Sequence, residues 1–104
     1  MTTFDEREHA YEAKFAHDEE LRFKAEARRN RLLGEWAADL LGKTGDARAE
    51  YAKAVVASDF EEAGDEDVFR KVSFDLEGKA DAATIRAKMA ELRATARQQI
   101  IAEV

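Results

Sequence analysis

Residues 21–41 read LRFKAEARRNRLLGEWAADLL and decide the fold of this chain. The segment has no Pro and a single Gly, and most of its residues favour helix. Its apolar side chains recur at helical spacing and form one broad face of Leu21, Ala25, Leu32, Trp36 and Leu40, widened by Leu33, Ala37 and Leu41. Such a broad face is typical of a helix that lies against a protein core. Because Asp18 is well placed to cap the first turn, we predict that a bundle begins with this helix.

Residues 1–18 carry a narrower pattern, in which Phe4, Tyr11 and Phe15 recur at i, i+7 and i+11 among charged residues. Three aromatic side chains on a narrow face have no obvious place in a bundle that is complete without them, and exposed aromatics are a liability without a partner. We interpret residues 1–18 as an arm that inserts into a groove of another protein, and residues 19–104 as the bundle. The alternative is that the aromatic stripe merely continues the first bundle helix.

Three further helices are predicted from caps and Gly-containing turns. Gly42-Lys43-Thr44-Gly45 should end the first helix, with Thr44 or Asp46 starting the second. Asp65 and Asp81 should cap the third and fourth helices. The predicted inward residues are Ala47, Tyr51, Ala54, Val55 and Ser58 in the second helix, Val68, Phe69, Val72 and Leu76 in the third, and Ile85, Met89, Leu92, Ala96 and Ile100 in the fourth. The expected fold is all-α, an antiparallel four-helix bundle with a mobile or helical N-terminal arm.

Composition argues against several classes of protein. The 104 residues suit one domain, and the absence of Cys excludes disulfides and thiolate metal sites. A formal net charge of -6 disfavours nonspecific binding to nucleic acid, and no apolar run is long enough for membrane insertion. His9 and His17 would lie about 12 Å apart on a helix, too far to share a metal ion. We expect a cytoplasmic protein that is not an enzyme and has no catalytic residues.

A basic run covers residues 22–31 and contains Arg22, Lys24, Arg28, Arg29 and Arg31 against Glu26. Arginine side chains suit the phosphates of a nucleotide or of RNA. An acidic run at Glu61, Glu62, Asp65, Glu66 and Asp67 offers partners within the same bundle. Pairing between helices is therefore the favoured role of the basic run, ahead of phosphate binding and then nucleic acid.

Several longer runs carry a family resemblance: residues 3–8 (TFDERE), 12–25 (EAKFAHDEELRFKA), 27–34 (ARRNRLLG), 57–62 (ASDFEE) and 64–72 (GDEDVFRKV). Together they closely resemble the inhibitory zeta subunit of alphaproteobacterial F-type ATP synthases. The resemblance spans essentially the whole chain.

This resemblance implies a helical bundle whose N-terminal segment enters a catalytic interface of the ATPase head, beside the rotor, and blocks rotation in the hydrolytic direction. The protein would then lie at the inner membrane through the ATP synthase. The implied partner-binding residues are Phe4, Asp5, Glu6, Arg7, Glu8, Tyr11, Glu12, Lys14 and Phe15. The resemblance also implies weak ATP or ADP binding, which would suit the basic run, without a required cofactor. The alternative is a nucleotide-sensing or other partner-binding bundle with weak or no inhibitory activity.

Overall fold

The structure, a computed structural model, describes residues 18–59 and 65–103. These residues form four helices, α1 (Glu19–Leu40), α2 (Gly45–Ala57), α3 (Glu66–Asp75) and α4 (Ala82–Glu103), and contain no strand. The predicted all-α fold is therefore confirmed. The predicted arm, apart from Asp18, and the predicted turn at residues 61–64 lie outside the described residues.

The two long helices, α1 and α4, pack antiparallel to each other. Near the middle of α1, Arg28 binds Glu103 at the end of α4, with Nη2 and Oε1 2.8 Å apart. Further along, Leu33 of α1 shares a buried cluster with Ile85, close to the start of α4. Residue numbers thus rise along one helix as they fall along the other, as expected of an antiparallel bundle.

Helix α2 also runs antiparallel to α1 and crosses it very closely at Gly34. A Cβ atom at Gly34 would lie 2.6 Å from the Cα atom of Ala52, so a side chain there would collide with backbone. Val55 is fully buried at the same crossing. Beyond it, Nε of Arg48 donates to Oδ1 of Asp39 at 2.8 Å. Glycine is required at residue 34 because the two backbones approach each other there.

The apolar interior has two parts. The main core is contributed by all four helices and consists of Leu33, Ala37, Val55, Val68, Val72, Leu76, Ile85 and Met89. The distal cluster is smaller, belongs to α1 and α4 only, and consists of Leu21, Ala25 and Ile100. The end of the α1–α4 pair that contains Leu33 and Ile85 thus lies in the main core. The end that contains Leu21 and Ile100 is covered by few apolar side chains.

The predicted inward residues of α3 and α4 are largely confirmed, but the predicted face of α2 is wrong in part. Val55 is buried as predicted, whereas Ala47 and Ala54 are exposed and Ala52 is buried instead. The close approach at Gly34 turns the face that contains Ala52 toward α1. The prediction also fails at Leu40, the last residue of its helix, which is 40% exposed.

Most predicted caps and helix ends are confirmed. Asp18 accepts a hydrogen bond from the Leu21 amide at 3.1 Å, and Asp81 accepts one from the Thr84 amide at 2.8 Å. Gly42 has a φ of 76°, the left-handed conformation that ends α1. Asp65 occupies the predicted cap position of α3, but its carboxylate forms no capping hydrogen bond.

Candidate functional site

A basic cleft lies between α1, α4 and the residue that precedes α3. Its volume is about 310 Å³, and its lining is Arg22, Ala25, Glu26, Arg29, Asp65, Arg93 and Arg97. We call it the arginine cleft. Among the described residues, the lining contains four guanidinium groups and two carboxylates.

Arg29 is the most deeply buried of these charges, with only 2% of its surface exposed. Its Nε donates to Oδ1 of Asn30 at 2.6 Å, and its Nη2 donates to Oδ1 of Asp65 at 3.0 Å. Asn30 in turn donates from Nδ2 to Oδ2 of Asp59 at 2.8 Å. Two neighbouring residues of α1 thereby bind Asp59, just after α2, and Asp65, just before α3.

Asp65 lies between two guanidinium groups, because its second carboxylate oxygen accepts a hydrogen bond from Nη2 of Arg93. Burial alone would raise the pKa of the Asp65 carboxyl, but the bonds and charges of Arg29 and Arg93 outweigh burial and hold the pKa below its ordinary value. The carboxylate is therefore ionised at neutral pH. This engagement explains why a residue at the cap position of α3 does not cap the helix.

The predicted pairing of the basic run with the acidic run is confirmed for Arg29 and Asp65. Other members of the basic run pair elsewhere. Lys24 forms an exposed ion pair with Glu20 on its own helix, at 3.3 Å. Arg28 pairs with the far end of α4.

The five residues predicted to bind nucleotide do not share one site. Arg22 and Arg29 line the arginine cleft. Lys24, Arg28 and Arg31 line a second groove, of about 450 Å³, on another side of α1. The division follows from helical geometry, since residue 24 lies about 200° around the helix from residue 22.

The second groove is amphipathic. Phe23 lies at its edge and is 72% exposed, and Ala27 and Ile100 also line it. Arg28 crosses it, donating from Nη1 to Oε1 of Gln99 at 2.7 Å as well as to Glu103. With its guanidinium engaged by α4, Arg28 serves mainly as a tie between the two helices.

Arg93 and Arg97 were missed in the sequence, although one signal points to them. They are spaced i, i+4 on the last helix and flank the inward residue Ala96. An antiparallel pairing of the first and last helices places this part of α4 beside the start of α1. The two arginines could therefore have been assigned to the same site as Arg22.

Other kinds of site find no support in the described part of the chain. Residues 18–59 and 65–103 contain no group of three or more side chains that could hold a metal ion. No helix within these ranges is long and apolar enough to span a membrane. The predicted partner-binding residues all fall between residues 4 and 15, outside the described residues. The clustered charges in the described part of the chain are those of the arginine cleft.

Comparison with known proteins identifies the family. The family profile described as ATPase inhibitor subunit zeta matches residues 1–99. The chain belongs to this family. Membership in the zeta family supports a role as an inhibitor of ATP synthase and implies that enzyme as the partner.

The bundle is also similar to a solved structure. A protein whose structure was determined by NMR in solution is 55% identical to this chain, with a TM-score of 0.75. The match covers 81% of this chain and 99% of the other. No curated protein gives a significant match. The zeta-family assignment therefore rests on the family profile, and the solved structure supports the fold.

Proposed function

We propose that this zeta-family protein inhibits ATP hydrolysis by inserting residues 1–18 at a catalytic interface of the ATP synthase head, beside the rotor. Insertion there would block rotation in the hydrolytic direction. The observation that carries the proposal is the family match, which begins at residue 1 and so includes the whole arm. The aromatic stripe of Phe4, Tyr11 and Phe15 supplies the anchors that such an insertion needs.

The architecture of the bundle is compatible with a separate arm. Among the described residues, the main core draws on none before Leu33, and the distal cluster begins at Leu21. The Asp18 side chain caps α1, which gives the first helix a start of its own. The described part of the chain thus contains an apolar interior and a cap at the start of its first helix.

Truncation tests this proposal. A protein without residues 1–17 should lose inhibition of the purified ATPase head while its unfolding midpoint in urea stays nearly unchanged. A full-length protein with Phe4→Ala, Tyr11→Ala and Phe15→Ala should behave in the same way, because each buried anchor contributes about 1.5–3 kcal/mol through apolar burial.

Phe74→Ala is the matched control, since Phe74 is a bundle aromatic that is 78% exposed. It should leave inhibition intact. Full inhibition by the truncated protein would contradict the proposal and place the inhibitory surface on the bundle.

A second candidate function is weak binding of ATP or ADP, and the arginine cleft favours it. Arg22, Arg29 and Arg93 line the cleft, and their guanidinium groups suit phosphate oxygens. Arg22 supplies one guanidinium that forms no ion pair within the described residues. The binding would be weak because no glycine-rich cradle surrounds the phosphates and solvent screens the exposed charges.

Amide chemical shifts followed during titration with ADP test the second function. The largest shifts should fall on residues that line the arginine cleft, including Arg22 and Arg93, and they should fade as salt is added. Shifts confined to residues around Lys24 and Arg31 would indicate that ADP binds in the second groove instead. Tight binding that is insensitive to salt would contradict a site held together by exposed charges.

A further inference from the structure

Asp65 stands at a helix cap position, but its carboxylate is engaged elsewhere. It occupies the cap position of α3, where the first amide groups of a helix lack partners within the helix, yet its carboxylate makes no bond to them. Instead, its two oxygens accept hydrogen bonds from Arg29 and Arg93, inside the arginine cleft. The side chain is thus used as an anion that joins helices.

Arg29 needs such an anion. Its guanidinium is almost fully buried, and a buried charge without a partner is strongly destabilising. Asn30 accepts the hydrogen bond from Arg29 Nε, but its side chain is neutral. The positive charge of Arg29 is therefore balanced by the Asp65 carboxylate. A phosphate group offers guanidinium the same kind of acceptor oxygens as a carboxylate, with similar spacing and more negative charge.

We propose that Asp65 is a built-in competitor that occupies the anion site of the arginine cleft and weakens its affinity for phosphate. This inference rests on the second candidate function, phosphate binding in the cleft. An incoming phosphate takes over Arg29 and Arg93, for which the Asp65 carboxylate must give up its bonds to both. Phosphate and the Asp65 carboxylate therefore compete for the same two guanidinium groups.

The test compares Asp65→Asn with the wild-type full chain, using inorganic phosphate as the probe. Binding is followed by amide chemical shifts at constant ionic strength. The variant should bind phosphate at least about tenfold more tightly, because losing one charged hydrogen bond to a competitor changes an equilibrium by roughly that factor. Adding Arg93→Gln to the variant should abolish the gain.

Glu66→Gln is the matched control, because it removes the same charge from the neighbouring residue. Glu66 pairs with Arg86, which does not line the arginine cleft. Its phosphate affinity should change less than about twofold, since an exposed charge acts only through screened solvent. An equal gain in Glu66→Gln would mean that net charge, and not competition for Arg29 and Arg93, sets the affinity.

Thermal unfolding covers the case in which Asp65→Asn is too unstable for titration. Phosphate should raise the Tm of the variant more than that of the wild type, with sodium chloride at equal ionic strength as the reference. If the variant gains no more affinity or stability from phosphate than the wild type, the competitor role is wrong while phosphate binding stands. If neither protein responds to phosphate, both the competitor role and the second candidate function fail, and inhibition through the arm is unaffected.

Discussion

The two halves of α1 are buried by different kinds of contact. The C-terminal half places Leu33, Gly34 and Ala37 against the other helices and contributes apolar surface. The N-terminal half is held by Arg28 and Arg29, which bind groups on other parts of the chain, and by the small distal cluster. One helix thus combines a region held by apolar packing with a region held mainly by ion pairs.

The difference between the halves is energetic as well as chemical. Burial of apolar surface is favourable at about 25 cal/mol per Å². A buried ion pair gains little net stability, because the cost of removing two charges from water offsets their attraction. We therefore expect the C-terminal half of α1 to contribute more to the stability of the bundle than the N-terminal half.

The largest effect should come from shortening matched leucines in the two halves. Leu33→Ala should lower the free energy of unfolding by about 4 kcal/mol and Leu21→Ala by about 2 kcal/mol, within the range for buried cavities. Leu33 is fully buried in the main core, whereas Leu21 belongs to a two-helix cluster that can close over a gap. Urea unfolding with an unchanged m-value would measure both changes. Equal losses of stability in the two variants would show that the two halves of α1 contribute alike.

Gly34→Ala should destabilise the protein by about 1–2 kcal/mol, although alanine favours helix by about 1 kcal/mol over glycine. The added methyl group would lie 2.6 Å from the Ala52 backbone and force α1 and α2 apart. Ala54→Gly, at an exposed position of α2, measures the effect of helix propensity alone on the free energy of unfolding. If Gly34→Ala proved more stable than the wild type, the close crossing would not be a source of stability.

Acid should weaken the N-terminal half selectively. The pKa of Asp65 is held below its ordinary value in the folded protein, so its ionised form stabilises the fold above the unfolded pKa of about 4. That contribution disappears as the pH falls through the lower, folded pKa. The stability deficit of Asp65→Asn relative to the wild type should therefore shrink between pH 7 and about pH 3 in urea unfolding. The deficit of Leu33→Ala, which involves no titrating group, should persist over the same range.

The smallest effect is expected for Phe23→Ala. Phe23 is 72% exposed at the edge of the second groove, and the change should alter the free energy of unfolding by less than about 0.5 kcal/mol. The Tm measures it directly. A larger loss would mean that the N-terminal half draws apolar support from this ring.

The helices and most of their ends could be predicted from the sequence because their causes are local. Asp18 and Asp81 meet amides three residues ahead, and the left-handed conformation of Gly42 depends on its lack of a side chain. The apolar stripe of α4 recurs at helical spacing and is wide enough to fix which side is buried.

The site was harder to predict because it depends on contacts between distant residues. Arg29 and Arg93 meet only after α1 and α4 have paired, and Asp65 joins them at the expense of its local role as a cap. The face of α2 likewise depends on Gly34, which fixes from another helix how close Ala52 can come. Sequence periodicity cannot supply these choices, since each depends on a partner many residues away.

The continuity of α1 has a mechanical consequence. The helix runs unbroken for 22 residues, about 33 Å, from the cap at Asp18 through both halves. A pull on Asp18 along the axis would load the lateral contacts with α2 and α4 together, in shear, instead of opening them one after another. The close crossing with α2 at Gly34 lies in the C-terminal half of α1. The helix would therefore carry tension past the arginine cleft to the main core.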